Sequence, residues 1–380
     1  MIQSIAIKNF KSIKEKHFNL RNLNVLLGLN GQGKSSFIQS LLLLRQSDEK
    51  LKKGILSLKG NLVDIGVSKD ALYQYATNKL EFDIKFSDNV EHKLVFDYIN
   101  HSSDVFMLNQ KESNTKNLHS EKEALFNNEF QYLNADRVEP KSIHKRSYEN
   151  AYIYRSLGIK GEYTVDFLEL NAEDEIAFEN CIHPKTIVST TNKGEKIRVR
   201  KLIHQVNLWL SEISPEVNVK TKHINSNDVQ LEFQFNQPTY GVTDAFKPEN
   251  VGFGISYALH VVTALLAARK GALIIIENPE SHIHPRGQAE LGKLIALVAQ
   301  NDVQIIIETH SDHIVNGIRV GVKEEPNLKD KTMLFYFKKV VEEQEQYSSI
   351  IDIRIDKNGT LSDYPENLLD EWSNQLSKLL

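Results

Sequence analysis

The chain has 380 residues, which is enough for one large α/β domain or for two lobes. Its hydrophobic content of 41% and charged content of 25% are typical of globular proteins, and no apolar run is long enough to cross a membrane. A net charge of −4 excludes a global basic field, so any contact with nucleic acid must be local. The single cysteine excludes an internal disulfide, and we expect a cytoplasmic protein.

The N-terminal part alternates between strand and helix patterns. Residues 2–7 alternate as a strand, and residues 20–27 return as a second, more apolar strand. An apolar stripe at helical spacing follows over residues 36–46. Residues 80–86 and 93–99 alternate with period two, which predicts an antiparallel hairpin, and the polar run over 110–123 predicts a surface loop.

The middle of the chain is less regular, and the last third alternates again. A strand at 130–135, an amphipathic helix at 202–213 and strands at 217–222 and 229–235 are predicted. After Gly252 we predict helices and strands in alternation: helices 256–269, 286–299 and 312–322, and strands 272–276, 303–307, 333–338 and 350–355. Such alternation is typical of a largely parallel sheet that binds its ligand at the carboxyl ends of the strands.

One short stretch carries the strongest chemical signal. Gly28-x4-Gly33-Lys34-Ser35 lies between the apolar strand and the first helix, which is the arrangement of a P-loop. Glycines let successive backbone N–H groups point at phosphate oxygens, and the helix N-terminus adds positive potential. Lys34 is expected to reach the β- and γ-phosphates and Ser35 to ligate Mg²⁺. The sequence therefore predicts a nucleoside triphosphate site.

Three later segments complete this prediction. The apolar strand ending at Glu277 is typical of a Walker B segment, whose acid holds Mg²⁺ through its water shell. A second buried strand ends shortly before His310, at a position from which a histidine can point at a γ-phosphate. The turn Val251-Gly-Phe-Gly-Ile-Ser256 opens a helix and offers a further anion site.

Taken together, these motifs resemble an ABC-type ATPase head of the group that includes SMC, RecF and the overcoming-lysogenisation-defect nucleases. The resemblance is carried by five segments in the family's order: Asn9-Phe10-Lys11-Ser12, the P-loop, residues 251–256 as a degenerate signature motif, Glu277-Asn-Pro-Glu-Ser-His-Ile-His-Pro285 as Walker B plus D-loop, and Glu308-Thr-His310-Ser-Asp with the switch histidine. The likeness is strongest to compact prokaryotic heads of anti-phage defence systems, such as the ATPase subunit of Septu-like systems.

The resemblance implies a mechanism. Two heads would sandwich two ATP molecules in a head-to-tail homodimer or a higher oligomer, and hydrolysis would reopen it. The residues implied to contact ATP are Lys11, Ser12, Asn30, Gly31, Gly33, Lys34, Ser35 and Ser36 in cis, with Gly252, Gly254 and Ser256 of the signature acting in trans. Ser35 and Glu277 would hold Mg²⁺, and His310 would sense the γ-phosphate.

One catalytic position departs from the family pattern. Asn278 stands where most members carry a catalytic glutamate, and an amide cannot take a proton from water. Two alternatives follow for Glu280: either it polarises the attacking water, or it caps the following helix and hydrolysis is slow. The predicted catalytic set is accordingly Glu277, Asn278, Glu280 and His310. Gln46 and Gln74 are candidates for the family's Q-loop glutamine.

The predicted fold class is a P-loop NTPase of the ABC-head type, with a mixed α/β sheet, an antiparallel β subdomain and a helical and irregular insertion. We expect three parts: residues 1–100 with the P-loop, an inserted lobe at 101–245, and residues 246–380 with the signature, Walker B, D-loop and switch histidine.

The predicted function is a slowly turning-over ATPase that controls a partner effector, such as a nuclease encoded nearby, in anti-phage defence. Too few residues follow His310 for the nuclease domain of the overcoming-lysogenisation-defect enzymes. Two alternatives remain, a nucleotide-gated scaffold with little turnover and a RecF-like DNA repair ATPase. Basic clusters that could contact DNA phosphates are Lys141, Lys145 and Arg146, and Arg198, Arg200 and Lys201.

Overall fold

A computed structural model describes residues 1–76, 78–88, 90–114, 122–190, 196–239 and 241–379. The strands are β1 (Ile2–Phe10), β2 (Ile13–Asn19), β3 (Leu23–Leu27), β4 (Ile55–Ser57), β5 (Lys79–Phe86), β6 (Glu91–Asp97), β7 (Val105–Leu108), β8 (Phe130–Leu133), β9 (Ile143–Lys145), β10 (Val188–Thr190), β11 (Lys196–Arg198), β12 (Val217–His223), β13 (Asp228–Gln237), β14 (Gly241–Val242), β15 (Leu273–Glu277), β16 (Gln304–Glu308), β17 (Thr332–Val341) and β18 (Gln346–Ile353).

The α-helices are α1 (Lys34–Gln46), α2 (Asp48–Leu51), α3 (Ser68–Ala71), α4 (Thr164–Asn171), α5 (Leu202–Ile213), α6 (Phe253–Leu266), α7 (Pro285–Ala299), α8 (Asp312–Glu324) and α9 (Glu371–Ser377). None of the helices in the described ranges is both long and apolar enough to span a lipid bilayer. The chain divides into two compact units. Unit 1 comprises Met1–Asn127, Asp330–Ile355 and Leu361–Leu380, and unit 2 comprises Asn128–Lys329 and Asp356–Thr360.

Unit 1 contains an antiparallel sheet in the order β2-β1-β5-β6-β7-β4 and a second set of strands around β3. Strand β17 pairs with β3 in parallel and with β18 in antiparallel orientation. The side chains of β5 alternate between buried and half-buried, as expected for a strand with one face on a core. An aromatic cluster joins the layers: the Phe18 ring centroid lies 4.5 Å from that of Phe37 on α1 and 5.3 Å from that of Phe335 on β17.

Unit 2 contains parallel pairs β8–β15 and β15–β16, so the carboxyl ends of these strands lie at one edge. Glu277 is in register with Glu308, and Ile276 with Leu133. The strands are apolar and buried on both faces, which is the pattern of a parallel sheet covered by helices. A separate antiparallel sheet pairs β13 with β9, β12 and β14.

Most predicted elements are present, with shifted ends. The strand predicted from residue 20 begins at Leu23, because the Asn24 side chain holds a turn by accepting from Arg21 N and donating to Arg21 O. The helix predicted over 256–269 begins at Phe253. The loop predicted at 110–123 has residues 115–121 outside the described ranges. The three-part division at 100/101 and 245/246 stays a prediction; both positions lie within a compact unit.

Candidate functional site

At two positions of the P-loop in unit 1, the backbone has a conformation that only glycine readily adopts. Gly28 has a φ of +130°, and a Cβ there would lie 2.3 Å from the Phe337 carbonyl oxygen. Gly33 has a φ of +104°, and its Cβ would lie 2.3 Å from Ser348 Oγ and 2.4 Å from Ser12 Oγ. Contacts this short leave no room for a Cβ at either glycine. Strands β17 and β18 therefore pack directly against the backbone of the loop.

The end of this loop is arranged to receive an anion. Gly33 is the N-cap of α1 and has no side chain, so the positive end of the helix dipole lies directly at the glycine loop. The Lys34 side chain is buried, and its Nζ donates to the carbonyl oxygens of Gly28 (2.7 Å) and Leu29 (2.9 Å). A lysine amine and a helix N-terminus therefore meet in one glycine loop, and both attract phosphate oxygens.

The remaining cofactor residues predicted in the P-loop differ in exposure. Asn30 and Gly31 are exposed at the tip of the loop, Ser35 is exposed in the first turn of α1, and Ser36 is buried. Ser36 Oγ lies 3.4 Å from Ser12 Oγ, so the segment after β1 lies directly beside the P-loop.

A cavity of about 310 Å³ opens beside the P-loop within unit 1. Its walls include Lys11, Ser12, Gly31, Asp70, Leu72, Tyr73, Gln74, Lys339, Gln346, Tyr347 and Ser348. Lys11 Nζ donates to Gln39 Oε1 (2.9 Å), and burial lowers the pKa of Lys11. Burial also raises the pKa of Tyr73 to about 12, so its hydroxyl remains a donor to Glu345 Oε2 (3.1 Å). The volume suits a small polar ligand.

Of the two Q-loop candidates, only Gln74 lines this cavity. The amide of Gln46 is used elsewhere: its Nε2 donates to the carbonyls of Ser57 and Val63 (3.1 Å each), and its Oε1 accepts from Val63 N (3.0 Å). Gln46, at the end of α1, therefore holds the segment after α2 in place by hydrogen bonds to the backbone of Ser57 and Val63.

In unit 2, Glu277 ends strand β15 with its carboxylate held by a tyrosine. The Tyr132 hydroxyl donates to Glu277 Oε1 at 2.9 Å. Burial raises the pKa of Tyr132 far above its usual value, so the hydroxyl keeps its proton. Burial also raises the pKa of Glu277, and the hydrogen bond from Tyr132 opposes that rise. The Tyr132 hydroxyl thus favours the ionised form of the half-buried Glu277 carboxylate.

Arg137 is a second contact of this turn that sequence reasoning missed. Its side chain is 1% exposed, and its guanidinium donates to the Glu277 carbonyl (2.5 Å) and the Asn278 carbonyl (3.0 Å). Burial lowers the pKa of Arg137 to about 10, so it stays charged at neutral pH. The only signal in the sequence is an arginine directly after a buried strand, in the run Tyr132-Leu-Asn-Ala-Asp-Arg137.

Asn278 adopts a backbone conformation with a φ of +46°. Asparagine is enriched in this left-handed region, where longer side chains are uncommon. Its N–H donates to the Glu308 carbonyl at 2.8 Å, which ties the turn to the neighbouring strand β16. An asparagine therefore suits the backbone conformation at position 278.

Glu280 contacts the segment that carries the switch histidine. Its carboxylate accepts from Thr309 Oγ1 and from the backbone N–H of His310, both at 2.8 Å. The His310 side chain is exposed. The N-cap of α7 is His284, whose side chain accepts from Arg286 N, so Glu280 is not the cap of that helix. Glu280 binds the backbone beside His310, a role that neither sequence alternative anticipated.

The predicted signature segment begins helix α6 and packs against the D-loop turn. A Cβ on Gly254 would lie 2.4 Å from the His282 carbonyl oxygen, and the His282 ring lies between those of Phe253 (5.7 Å) and Tyr257 (4.8 Å). Gly252 is exposed, whereas Ser256 is 4% exposed and its hydroxyl has no hydrogen-bond partner among the described residues. In the single chain the Ser256 side chain faces inward. The contact predicted between Ser256 and the nucleotide of a partner head stays a prediction.

The basic clusters considered for DNA contact are largely ion-paired. Lys145 Nζ lies 2.8 Å from Asp228 Oδ1, and Arg146 Nε lies 2.8 Å from Asp166 Oδ1. In the second cluster Arg200 pairs with Glu175 and Glu179, and Lys201 pairs with Glu173. Neighbouring acids therefore compensate four of the six basic groups, which lowers their value as a phosphate-binding surface.

Comparisons with known proteins bear on the fold of the chain. The chain resembles a solved Smc head bound to the C-winged helix domain of ScpA, at 13% identity over 94% of this chain and 98% of that chain, with a TM-score of 0.51. It also resembles a Smc head domain with an extended coiled coil, bound to the C-terminal domain of ScpA derived from Pyrococcus furiosus, at 13% identity over 100% and 99% of the two chains, with a TM-score of 0.50.

These likenesses confirm the predicted fold class, a mixed α/β P-loop fold like that of the Smc heads. Residues 23–316 match the family described as "AAA domain, putative AbiEii toxin, Type IV TA system", and the chain belongs to that family. Residues 329–379 match the family described as "Protein of unknown function (DUF3696)". No curated protein matches the chain.

Proposed function

We propose that the protein binds ATP with Mg²⁺ at its P-loop, hydrolyses it slowly and dimerises around it. The observation that carries the proposal is the glycine loop at the N-terminus of α1, with the buried Lys34 amine inside it. The cavity lined by Lys11, Tyr73 and Tyr347 is proposed to take the nucleoside. Ser35 and Glu277 offer hydroxyl and carboxylate oxygens, the donor type that Mg²⁺ prefers, and the bound ion would offset phosphate charge.

Slow turnover is proposed because Asn278 cannot accept a proton and because Glu280 already accepts two hydrogen bonds. The proposal keeps the roles that the family resemblance implies: sensing of the γ-phosphate by His310, and contact with a partner's ATP by Gly252, Gly254 and Ser256. Control of a partner effector in anti-phage defence is supported by the family's description, which names a toxin of a toxin–antitoxin system. A protein partner is further supported by the similar Smc heads, which are described as bound to domains of ScpA.

The test is phosphate release by the purified protein with ATP and Mg²⁺, together with its molar mass with and without ATP. We expect slow release and an ATP-dependent rise in mass, because nucleotide held by the P-loop would bridge two heads. The Lys34→Ala variant should lose both, since it removes the only side-chain amine that donates to the described P-loop carbonyls.

Two other outcomes separate the alternatives. An ATP-dependent rise in mass without phosphate release would support a nucleotide-gated scaffold, which the amide at position 278 favours. Absence of ATP binding by the wild-type protein, measured with a fluorescent ATP analogue, would contradict the whole proposal. A basal release that persists in Lys34→Ala would point to a contaminating ATPase.

A further inference from the structure

Two buried side chains outside the recognised motifs contact the end of β15. Both come from the segment 132–137, which begins within β8 and continues beyond its end and which we call the support segment. Tyr132 is 6% exposed and Arg137 is 1% exposed, so neither side chain is placed to meet solvent. Large polar side chains are seldom buried this fully unless they hold something in place.

The support segment contacts the Glu277 carboxylate directly. The Tyr132 hydroxyl donates to Oε1 at 2.9 Å. This contact restricts rotation of the carboxylate group. A charge-assisted hydrogen bond of this kind is stronger than one between neutral groups.

The same segment also fixes the backbone that follows Glu277. Arg137 donates to two successive carbonyl oxygens, those of Glu277 and Asn278, and a planar guanidinium can do so without rotating. Its Nε has no hydrogen-bond partner within the described part of the chain. A buried donor left unpaired costs free energy, which indicates that the two carbonyl contacts determine where this side chain lies.

We propose that Tyr132 and Arg137 are positioning residues of the ATPase reaction: Tyr132 orients the Glu277 carboxylate for Mg²⁺, and Arg137 holds the left-handed turn at Asn278 behind it. This inference rests on the proposed function. Neither residue touches the nucleotide, so both act through Glu277 and Asn278. Loss of either contact lets the carboxylate rotate while the P-loop of unit 1 is unchanged.

The test compares Tyr132→Phe with Tyr336→Phe. Both variants remove one buried hydroxyl and keep the ring, but the Tyr336 hydroxyl donates to the Glu366 carbonyl (2.7 Å) and not to Glu277. Two quantities are measured: the kcat and KM for phosphate release, and the gain in affinity for a non-hydrolysable ATP analogue when Mg²⁺ replaces EDTA. The second quantity does not depend on turnover.

We expect Tyr132→Phe to lower kcat by about tenfold and to reduce the Mg²⁺-dependent gain in affinity several-fold. Its affinity for the analogue in EDTA should stay within about twofold of wild type, because that affinity does not report the Glu277 orientation, and its KM for Mg²⁺-bound ATP should rise as the Mg²⁺ gain falls. Tyr336→Phe should change none of these quantities. Wild-type kcat and a wild-type Mg²⁺ gain in Tyr132→Phe would overturn the proposal, as would an equal loss of affinity in EDTA.

Arg137 is tested with Arg137→Lys and Arg137→Met. Lysine keeps the charge but is shorter and lacks the planar guanidinium that contacts both carbonyls, and methionine keeps similar bulk without a donor. We expect kcat to fall in the order wild type, Arg137→Lys, Arg137→Met, with analogue affinity in EDTA retained. Equal kcat in all three proteins would contradict the role of Arg137. If Arg137→Met does not fold, Arg137→Lys decides the question by its kcat and its Mg²⁺ gain.

Failure of the proposed function is seen in the wild-type protein itself. A wild type that neither releases phosphate nor gains affinity with Mg²⁺ would refute the ATPase proposal, and the positioning role with it. A wild type that does both, with variants that match it, would refute the positioning role alone.

Discussion

The P-loop of unit 1 and the Glu277 turn of unit 2 are held in shape by different means. The P-loop depends on backbone geometry: Gly28 and Gly33 have positive φ angles, and the carbonyl of Phe337 leaves no room for a side chain. The turn after Glu277 depends on side chains, because Tyr132 and Arg137 reach it from about 140 residues away in sequence. The P-loop is therefore shaped by its own glycines, with a distant strand packed against its backbone, whereas the turn depends on side chains from a distant segment.

The sharpest test of the backbone-held site is a pair of alanine substitutions in one loop. Gly28→Ala places a Cβ 2.3 Å from a backbone oxygen at a φ of +130°, so we expect a loss of about 3–4 kcal/mol in the free energy of unfolding. Gly31 has a positive φ but no atom within 4 Å of its would-be Cβ, so Gly31→Ala should cost only about 1 kcal/mol. Urea unfolding measures both.

Equal destabilisation by the two substitutions would show that loop strain, rather than contact with β17, controls this site. A loss in Gly31→Ala that exceeds the loss in Gly28→Ala would contradict the packing described here.

A similar pair tests whether the signature helix is held in the same way. Gly254→Ala brings a Cβ 2.4 Å from the His282 carbonyl oxygen, and we expect it to destabilise the protein by about 2 kcal/mol. Gly252→Ala meets nothing within 4 Å and should stay within about 0.5 kcal/mol of wild type. Thermal unfolding of both variants without nucleotide isolates this effect from any contact with ATP. Wild-type stability in Gly254→Ala would rule out a backbone constraint at this position.

The smallest expected effect concerns buried histidines of unit 2. Burial lowers the pKa of His144 to about 4, so the folded protein keeps it neutral well below the value of about 6.5 that holds in the unfolded chain. Since the unfolded state binds the proton first, stability is present above pH 6.5 and is lost progressively as pH falls towards 4. Between pH 7.5 and 5.5 we expect His144 to contribute a loss of about 1.3 kcal/mol.

The check is urea unfolding of wild type and His144→Gln at both pH values, with the exposed His223→Gln as the matched control. The pH-dependent loss should shrink in His144→Gln and persist in His223→Gln. His260 is fully buried, with its pKa lowered to about 3 by burial, and supplies a further loss of the same sign that both variants retain. An unchanged pH dependence in His144→Gln would contradict the neutral buried histidine.

Sequence reasoning reached the parts of the site that are contiguous in the chain. The P-loop, the strand ending at Glu277 and the order of the motifs follow from residues next to one another. Arg137 could not be predicted, because an arginine after a strand is usually a solvated end and its partners lie far along the chain. Ser256 shows a second limit: helix α6 begins three residues earlier than predicted, so Ser256 lies within the helix rather than at its start, and its side chain is buried.

Glu280 shows a third limit. Its spacing before α7 fits a helix cap, yet its carboxylate binds the backbone beside His310 and the Thr309 hydroxyl. The choice among these partners depends on how β15 and β16 lie in register, and a pattern of residue types does not contain that information.

The close approach of Gly254 to the His282 carbonyl also bears on how relatives of this chain should be compared. No rearrangement of side chains can relieve a contact with a backbone oxygen, so selection for folding alone would preserve the glycine. A descendant that had lost ATP turnover altogether would still inherit this part of the signature. Retention of the signature glycine therefore indicates that the fold is preserved, and it is a poor marker of surviving ATPase activity.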